Sequence, residues 1–276
     1  MIRRHQEHGE GRPARRLRRG FPRRVTLRAL AANIVTTIAL SAGVTAIRFA
    51  LEGRFKSAVT AVIIAGVLDG LDGTIARLLK STSRFGAELD SLSDVIAFGV
   101  APAIVIYSWG LADLGRIGWI VALAYAVACA LRLARYNTQA EEGGEDDKRR
   151  AGFFVGVPAP AGAALVLFAP IVDFAFDMTI FRSSSALALY VAVIAGLMVS
   201  TLPTFSSRQI RIAGENMLLL LLGVAVLAAA LIAYGWSVLA VLIAAYIASL
   251  PLAAWRWRRI RAALPAQPDI FADDSR

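Results

Sequence analysis

The chain has 276 residues, of which 57% are hydrophobic and 18% charged, with a formal net charge of +10. A mean hydropathy of +0.61 excludes an ordinary soluble domain and predicts a polytopic membrane protein, although the length alone would suit one or two soluble domains. The single cysteine, Cys129, excludes an internal disulfide and a cysteine-based metal site, and His5 and His8 lie in a charged arm, away from any ligand cluster.

Residues 1–28 hold Arg3, Arg4, Arg12, Arg15, Arg16, Arg18, Arg19, Arg23, Arg24 and Arg28. The basic run is long for a signal peptide, and no small-residue cleavage site follows the first apolar stretch. It abuts that apolar stretch and lacks interleaved aromatics, so we expect no nucleic-acid partner. It reads as a cytoplasmic juxtamembrane arm that fixes topology and touches anionic lipid heads.

A membrane-spanning helix needs about 20 apolar residues. The sequence predicts eight: 29–50, 56–79, 87–110, 115–135, 158–177, 184–202, 215–234 and 237–255. The expected class is therefore all-α. The expected organisation is a basic arm (1–28), a six-helix catalytic domain (29–202), a C-terminal transmembrane hairpin (203–255) and a basic tail (256–276). The hairpin segments carry no charge and read as scaffold or dimer contacts.

With the N-terminus in the cytoplasm, the inner loops hold Lys80, Arg84, Lys148, Arg149, Arg150, Arg208 and Arg211, and the tail adds Arg256, Arg258, Arg259 and Arg261. The outer loops hold Arg54, Lys56, Arg116 and Arg182, beside Asp113, Asp173 and Asp177. This distribution obeys the positive-inside rule. It puts the starts of helices 1, 3 and 5 and the ends of helices 2 and 4 at one cytoplasmic face, where the polar residues of the apolar segments also fall.

Four of those residues are carboxylates, and a charge at membrane depth costs at least ~2.5–3.5 kcal/mol on insertion scales. Asp69, Asp72, Gly73 and Ala76 follow i, i+3, i+4, i+7 spacing and share one helix face; Asp90 and Asp94 are i, i+4 on the next helix. Packed antiparallel, the two helices bring the acids together, and such a group cannot all stay ionised without a cation. Oxygen-only ligation favours Mg²⁺, Mn²⁺ or Ca²⁺ over zinc, and Mg²⁺ commonly joins carboxylates to phosphates. Gly70, Gly73 and Gly86 leave room for a ligand or a neighbouring backbone. A cation transporter would also use intramembrane acids, but usually at the midplane and within internal repeats, and no repeat is visible here.

The spacing D-x2-D-G-x2-A-R-x8-G-x3-D-x3-D, filled by Asp69, Asp72, Gly73, Ala76, Arg77, Gly86, Asp90 and Asp94, resembles the signature of the CDP-alcohol phosphatidyltransferases. The resemblance implies that Asp69, Asp72 and Asp90 bind two divalent cations, Mg²⁺ or Mn²⁺, and that Asp94 is the general base as well as a metal neighbour. It implies that Asp69, Gly73, Ala76, Arg77 and Gly86 line the site for the CDP group, with Asn33 and Thr36 as further contacts. It also implies a homodimer in the bacterial inner membrane, with both termini and the active site cytoplasmic.

The acceptor alcohol is addressed by other residues. Arg132 and Arg135, i and i+3 near the membrane face, either snorkel to lipid phosphates or bind an anionic group of the acceptor. Gly156-Val157-Pro158-Ala159-Pro160 either belongs to the site or begins helix 5. Arg132 to Asn137 and Gly156 to Pro160 resemble segments of the membrane-embedded phosphatidylserine synthases of bacteria and archaea, with Tyr136 in place of Phe and, earlier, Ala32 in place of Pro. This resemblance implies L-serine as acceptor, CDP-diacylglycerol as donor, membrane lipids as surroundings, and Arg132, Arg135 and Asn137 as acceptor contacts. Glycerol 3-phosphate, inositol phosphate and choline are the alternatives; the two arginines oppose choline but do not separate serine from a phosphorylated alcohol.

Overall fold

The computed structural model describes residues 27–78, 83–141, 153–178, 183–200, 203–205 and 217–263. The side chains of Ala76 and Arg77, Lys80 and the basic residues 148–150, 182, 208 and 211 lie outside the described residues, as do most of the N-terminal arm and the end of the tail. The helices are α1 (Leu27–Leu51), α2 (Phe55–Leu78), α3 (Arg84–Leu114), α4 (Arg116–Glu141), α5 (Ala159–Phe176), α6 (Ser184–Val199) and α7 (Met217–Ala263). Six of them carry stretches long and apolar enough to cross a membrane, and α6 is a shorter apolar helix. The chain is an all-α integral membrane protein.

Packing follows the rule for helices in lipid, where small residues face neighbouring helices because close backbone approach drives association. On α1 the buried stripe is Ala32, Thr36, Ala39, Gly43, Ala46 and Ala50, while Ile34, Ile38 and Val44 face outward and are about half exposed. Helix α1 packs against α2, where Ala58, Ala61 and Ala65 are buried, and against α3, where Ala97 and Ala101 are buried. A Cβ on Gly43 would lie 3.1 Å from the Ala97 Cα, so α1 and α3 pack backbone to backbone at that level. By contrast α5 is apolar all round and largely buried, as a central helix must be.

Several boundaries differ from expectation. Helix α4 runs to Glu141 rather than ending at 135, because no helix breaker precedes Gly143 and Gly144. Arg132 to Asn137 are therefore fully helical. Helix α3 begins at Arg84, capped by Ser83, whose Oγ accepts from the Gly86 N–H at 3.0 Å. An unexpected antiparallel ribbon, β1 (Phe153–Val155) against β2 (Pro203–Phe205), fastens the segment before α5 to the segment after α6.

The expected helices 7 and 8 are the two parts of one run, α7, joined at a break with non-helical backbone at Tyr234 (φ −134°, ψ 43°). At about 1.5 Å per residue, such a run kept straight would be more than twice as long as a hydrocarbon core of about 30 Å is thick. The break falls where the sequence separates the two segments. Just beyond it, Trp236 meets Phe174 at the far end of α5, with ring centroids 5.2 Å apart. The helix continues to Ala263 rather than stopping near 255, so Arg256, Arg258, Arg259 and Arg261 belong to it; their side chains lie outside the described residues.

Candidate active site

The aspartates converge as their spacing requires. Asp69, Asp72 and Asp90 each direct one carboxylate oxygen to a common point, and these oxygens lie within 4.8 Å of one another. Asp94 faces Asp69 within hydrogen-bonding range. Among the described residues the only ion pairs join Glu52 to Arg48 and Arg54 at the opposite end of the bundle. The aspartate group thus carries concentrated negative charge with no cationic side chain of the described residues paired to it. A set of oxygen ligands in this state fits a hard divalent cation.

Asp72 is the most enclosed of these acids, only 4% exposed. The Thr36 Oγ1 donates to Asp72 Oδ2 across 2.6 Å, and also lies 3.1 Å from the Ala32 carbonyl one turn back. Thr36 is itself 5% exposed, because it sits in the small-residue stripe of α1. Its hydroxyl is therefore committed to an acid that is a candidate metal ligand. Ser93 ties the same turn to α3, its Oγ donating to the Thr36 carbonyl at 3.4 Å.

Asn33 and Gly86, both expected near the CDP group, are neighbours: a Cβ on Gly86 would lie 2.8 Å from Asn33 Oδ1 and 3.0 Å from Ser83 Oγ. Glycine is required there by close approach. At Gly70 and Gly73 no atom from elsewhere among the described residues lies within 4 Å of the corresponding position, so those glycines leave space beside the aspartates. Ala76 and Arg77, the other expected CDP contacts, have side chains outside the described residues.

Helix α3 changes winding immediately after Asp94. Residues Val95–Val100 and Tyr107–Leu111 form wide π turns, which inside longer helices are frequent at functional sites. Such a turn leaves carbonyls without their usual α-helical partner. The fully buried Tyr125 of α4 answers one of them, donating from its Oη to the Phe98 carbonyl at 2.7 Å. One turn further along α4, Cys129 packs its Cβ 3.3 Å from the position of a Cβ on Gly99; the thiol is a packing residue, as its setting in the sequence implied.

The residues expected to meet the acceptor divide. Arg135 donates from Nη2 to the Val199 carbonyl at 2.7 Å, capping the C-terminal end of α6. Asn137 donates from Nδ2 to Ser91 Oγ at 2.9 Å, beside Asp90. Arg132 makes no ion pair or hydrogen bond among the described residues. Its guanidinium lies 5.6 Å from the Tyr136 ring centroid, and its ionisable neighbours are Cys129, Tyr136, Asp94 and Tyr246. Gly156 has φ +74°, and a Cβ there would stand 2.8 Å from the Ser200 carbonyl. The Gly156–Pro160 segment is thus the turn into α5, pressed against the end of α6.

Comparison with known proteins agrees with this arrangement. The CDP-alcohol phosphatidyltransferase family model matches residues 29–202, and a second one, CDP-alcohol phosphatidyltransferase 2, matches 215–251. The chain is similar to the CDP-diacylglycerol–serine O-phosphatidyltransferase of Mycobacterium tuberculosis (strain H37Rv), at 37% identity over 87% of this chain and 82% of the relative. Its counterpart in Mycobacterium leprae is 35% identical over 90% of this chain and 82% of the relative. That of Helicobacter pylori (strain 26695) is 35% identical over 62% of this chain and 69% of the relative. The chain belongs to the CDP-alcohol phosphatidyltransferase family.

Proposed function

We propose that the protein transfers the phosphatidyl group of CDP-diacylglycerol to the hydroxyl of L-serine, giving phosphatidylserine and CMP. The observation that carries the reaction class is the meeting of Asp69, Asp72 and Asp90 around one point, with no cationic side chain of the described residues paired to them. The acceptor is supported by the relatives' names and by Arg132, a cationic group within electrostatic range of Asp94 that makes no ion pair among the described residues.

Asp69, Asp72 and Asp90 would hold two divalent cations, Mg²⁺ or Mn²⁺, with Asp94 as a neighbour. When bound, the ions supply charge neutralisation for the pyrophosphate and for the departing CMP. Asn33, Gly73, Ala76, Arg77 and Gly86 form the bed for CDP, and Thr36 keeps Asp72 turned into it. Asp94 accepts the proton of the serine hydroxyl as that oxygen bonds to the phosphorus bearing diacylglycerol. The phosphorus–oxygen bond to CMP breaks, and CMP leaves with the electron pair. Arg132 receives the serine carboxylate. Arg135 and Asn137, expected as acceptor contacts, act instead by holding α4 to the end of α6 and to α3.

The site and both termini face the cytoplasm of the bacterial inner membrane in this reading, which the distribution of basic residues supports, and the family carries the expectation of a homodimer. The function is tested by an assay in membranes with CDP-diacylglycerol, Mg²⁺ or Mn²⁺, and serine, glycerol 3-phosphate, inositol phosphate or choline in turn. CMP release with phosphatidylserine formation is the expected result. Product from glycerol 3-phosphate and none from serine would overturn the acceptor.

A further inference from the structure

The second part of α7 lies outside the six-helix core, yet it reaches the site. It runs along α5 from Trp236, at the far end of the bundle, through Ile243 in the core to Tyr246. The Tyr246 Oη is buried and has no hydrogen-bond partner. Buried polar atoms are almost always paired, and each exception in a native fold calls for an explanation. Arg132 lies within electrostatic range of this hydroxyl, makes no ion pair or hydrogen bond among the described residues, and lies within the same range of Asp94. Two hydrogen-bond donors, one neutral and one cationic, are thus left unpaired among the described residues near the proposed base.

We propose that Tyr246 and Arg132 form a two-donor seat for the carboxylate of an α-amino-acid acceptor, making the C-terminal helix part of the specificity site. This rests on the reading that serine is the acceptor. Serine bears its hydroxyl and its carboxylate on adjacent carbons, so a molecule seated on Arg132 and Tyr246 presents the hydroxyl to Asp94. A carboxylate would satisfy both donors at once, and neither has such a partner among the described residues. A neutral alcohol of the same skeleton would leave them unpaired.

The test is Tyr246→Phe in the full-length chain, assayed with CDP-diacylglycerol and Mg²⁺ against serine and against serinol, which has a second hydroxymethyl group in place of the carboxylate. Loss of a hydrogen bond to a charged group should raise the serine KM about tenfold or more, with the KM for CDP-diacylglycerol unchanged. The preference for serine over serinol should fall by the same factor. Because the oxygen has no partner without substrate, its removal should not lower the melting temperature of the substrate-free protein. An unchanged serine KM and unchanged preference, or a parallel loss with both alcohols, would overturn the seat while leaving serine as the acceptor. Failure of the variant to fold would assign the oxygen to packing and also overturn it. A wild-type protein that uses another alcohol and not serine would remove the acceptor reading itself, and the seat with it.

Discussion

Replacing Thr36 with valine keeps the shape of the side chain and removes one hydroxyl. That hydroxyl donates to Asp72 Oδ2 at 2.6 Å, and both residues are buried, so water cannot take its place. A hydrogen bond to a charged group is worth about 1.5–3 kcal/mol. At 1.4 kcal/mol per factor of ten, its loss should weaken cation binding by roughly 10- to 150-fold. Loss of a partner that orients a metal ligand typically costs about 10- to 100-fold in metal affinity or activity, so the two routes agree. The assay is CMP release as a function of Mg²⁺ concentration at saturating CDP-diacylglycerol and serine. The expected result is a half-activating Mg²⁺ concentration raised at least tenfold, with turnover largely recovered at high Mg²⁺, and a Thr36→Ser variant close to wild type. An unchanged Mg²⁺ requirement in Thr36→Val would refute the idea that Thr36 acts through Asp72. Equal defects in the serine and valine variants would refute it as well.

Asp94→Asn should lose about 10²–10⁴-fold in turnover, the usual worth of a general base, while CDP-diacylglycerol binding measured by calorimetry stays intact. Gly86→Ala places a methyl against Asn33 Oδ1 and should raise the KM for the donor; adding Asn33→Gly should relieve part of that rise, and no relief would place the defect elsewhere. Tyr125→Phe leaves the Phe98 carbonyl unpaired in the core and should cost about 1–3 kcal/mol of stability, read as a lower melting temperature in detergent. Arg135→Ala should likewise lower the melting temperature, with little change in the serine KM, because its guanidinium caps α6; the reverse pattern would return it to the acceptor site.

The aspartate site was legible because both its helices obey simple periods. Asp69 and Asp72 share a face by i, i+3 spacing, and Asp90 and Asp94 by i, i+4, so a short turn between the helices suffices to bring them together. Contacts made across helices remote in sequence were less so. Thr36 reaches Asp72 only because alanines and a glycine on α1 allow the helices to approach, and the sequence suggested Thr36 as a CDP contact, not as a partner of Asp72. Arg132 and Arg135 look interchangeable in a helical register. Their difference comes from where α6 ends, since the Val199 carbonyl lies within reach of one and not the other. The uncharged C-terminal segment offered no signal beyond a tyrosine in an apolar run, and such a residue becomes informative only when its oxygen is found buried.

The wide turns of α3 bear on how this helix can be copied. An α-helix turns about 100° per residue, and a wide turn accommodates an additional residue within its ring. The carboxylates before Val95 and the packing surface after Val100 therefore do not lie on a single ideal helical wheel. A designer who transplants residues 84–114 onto a regular helix, or deletes one residue to regularise it, will keep all the aspartates and still turn Asp90 and Asp94 away from Asp69 and Asp72. Restoring the site in such a graft would demand the irregular winding itself, together with the tyrosine on the neighbouring helix that holds it open.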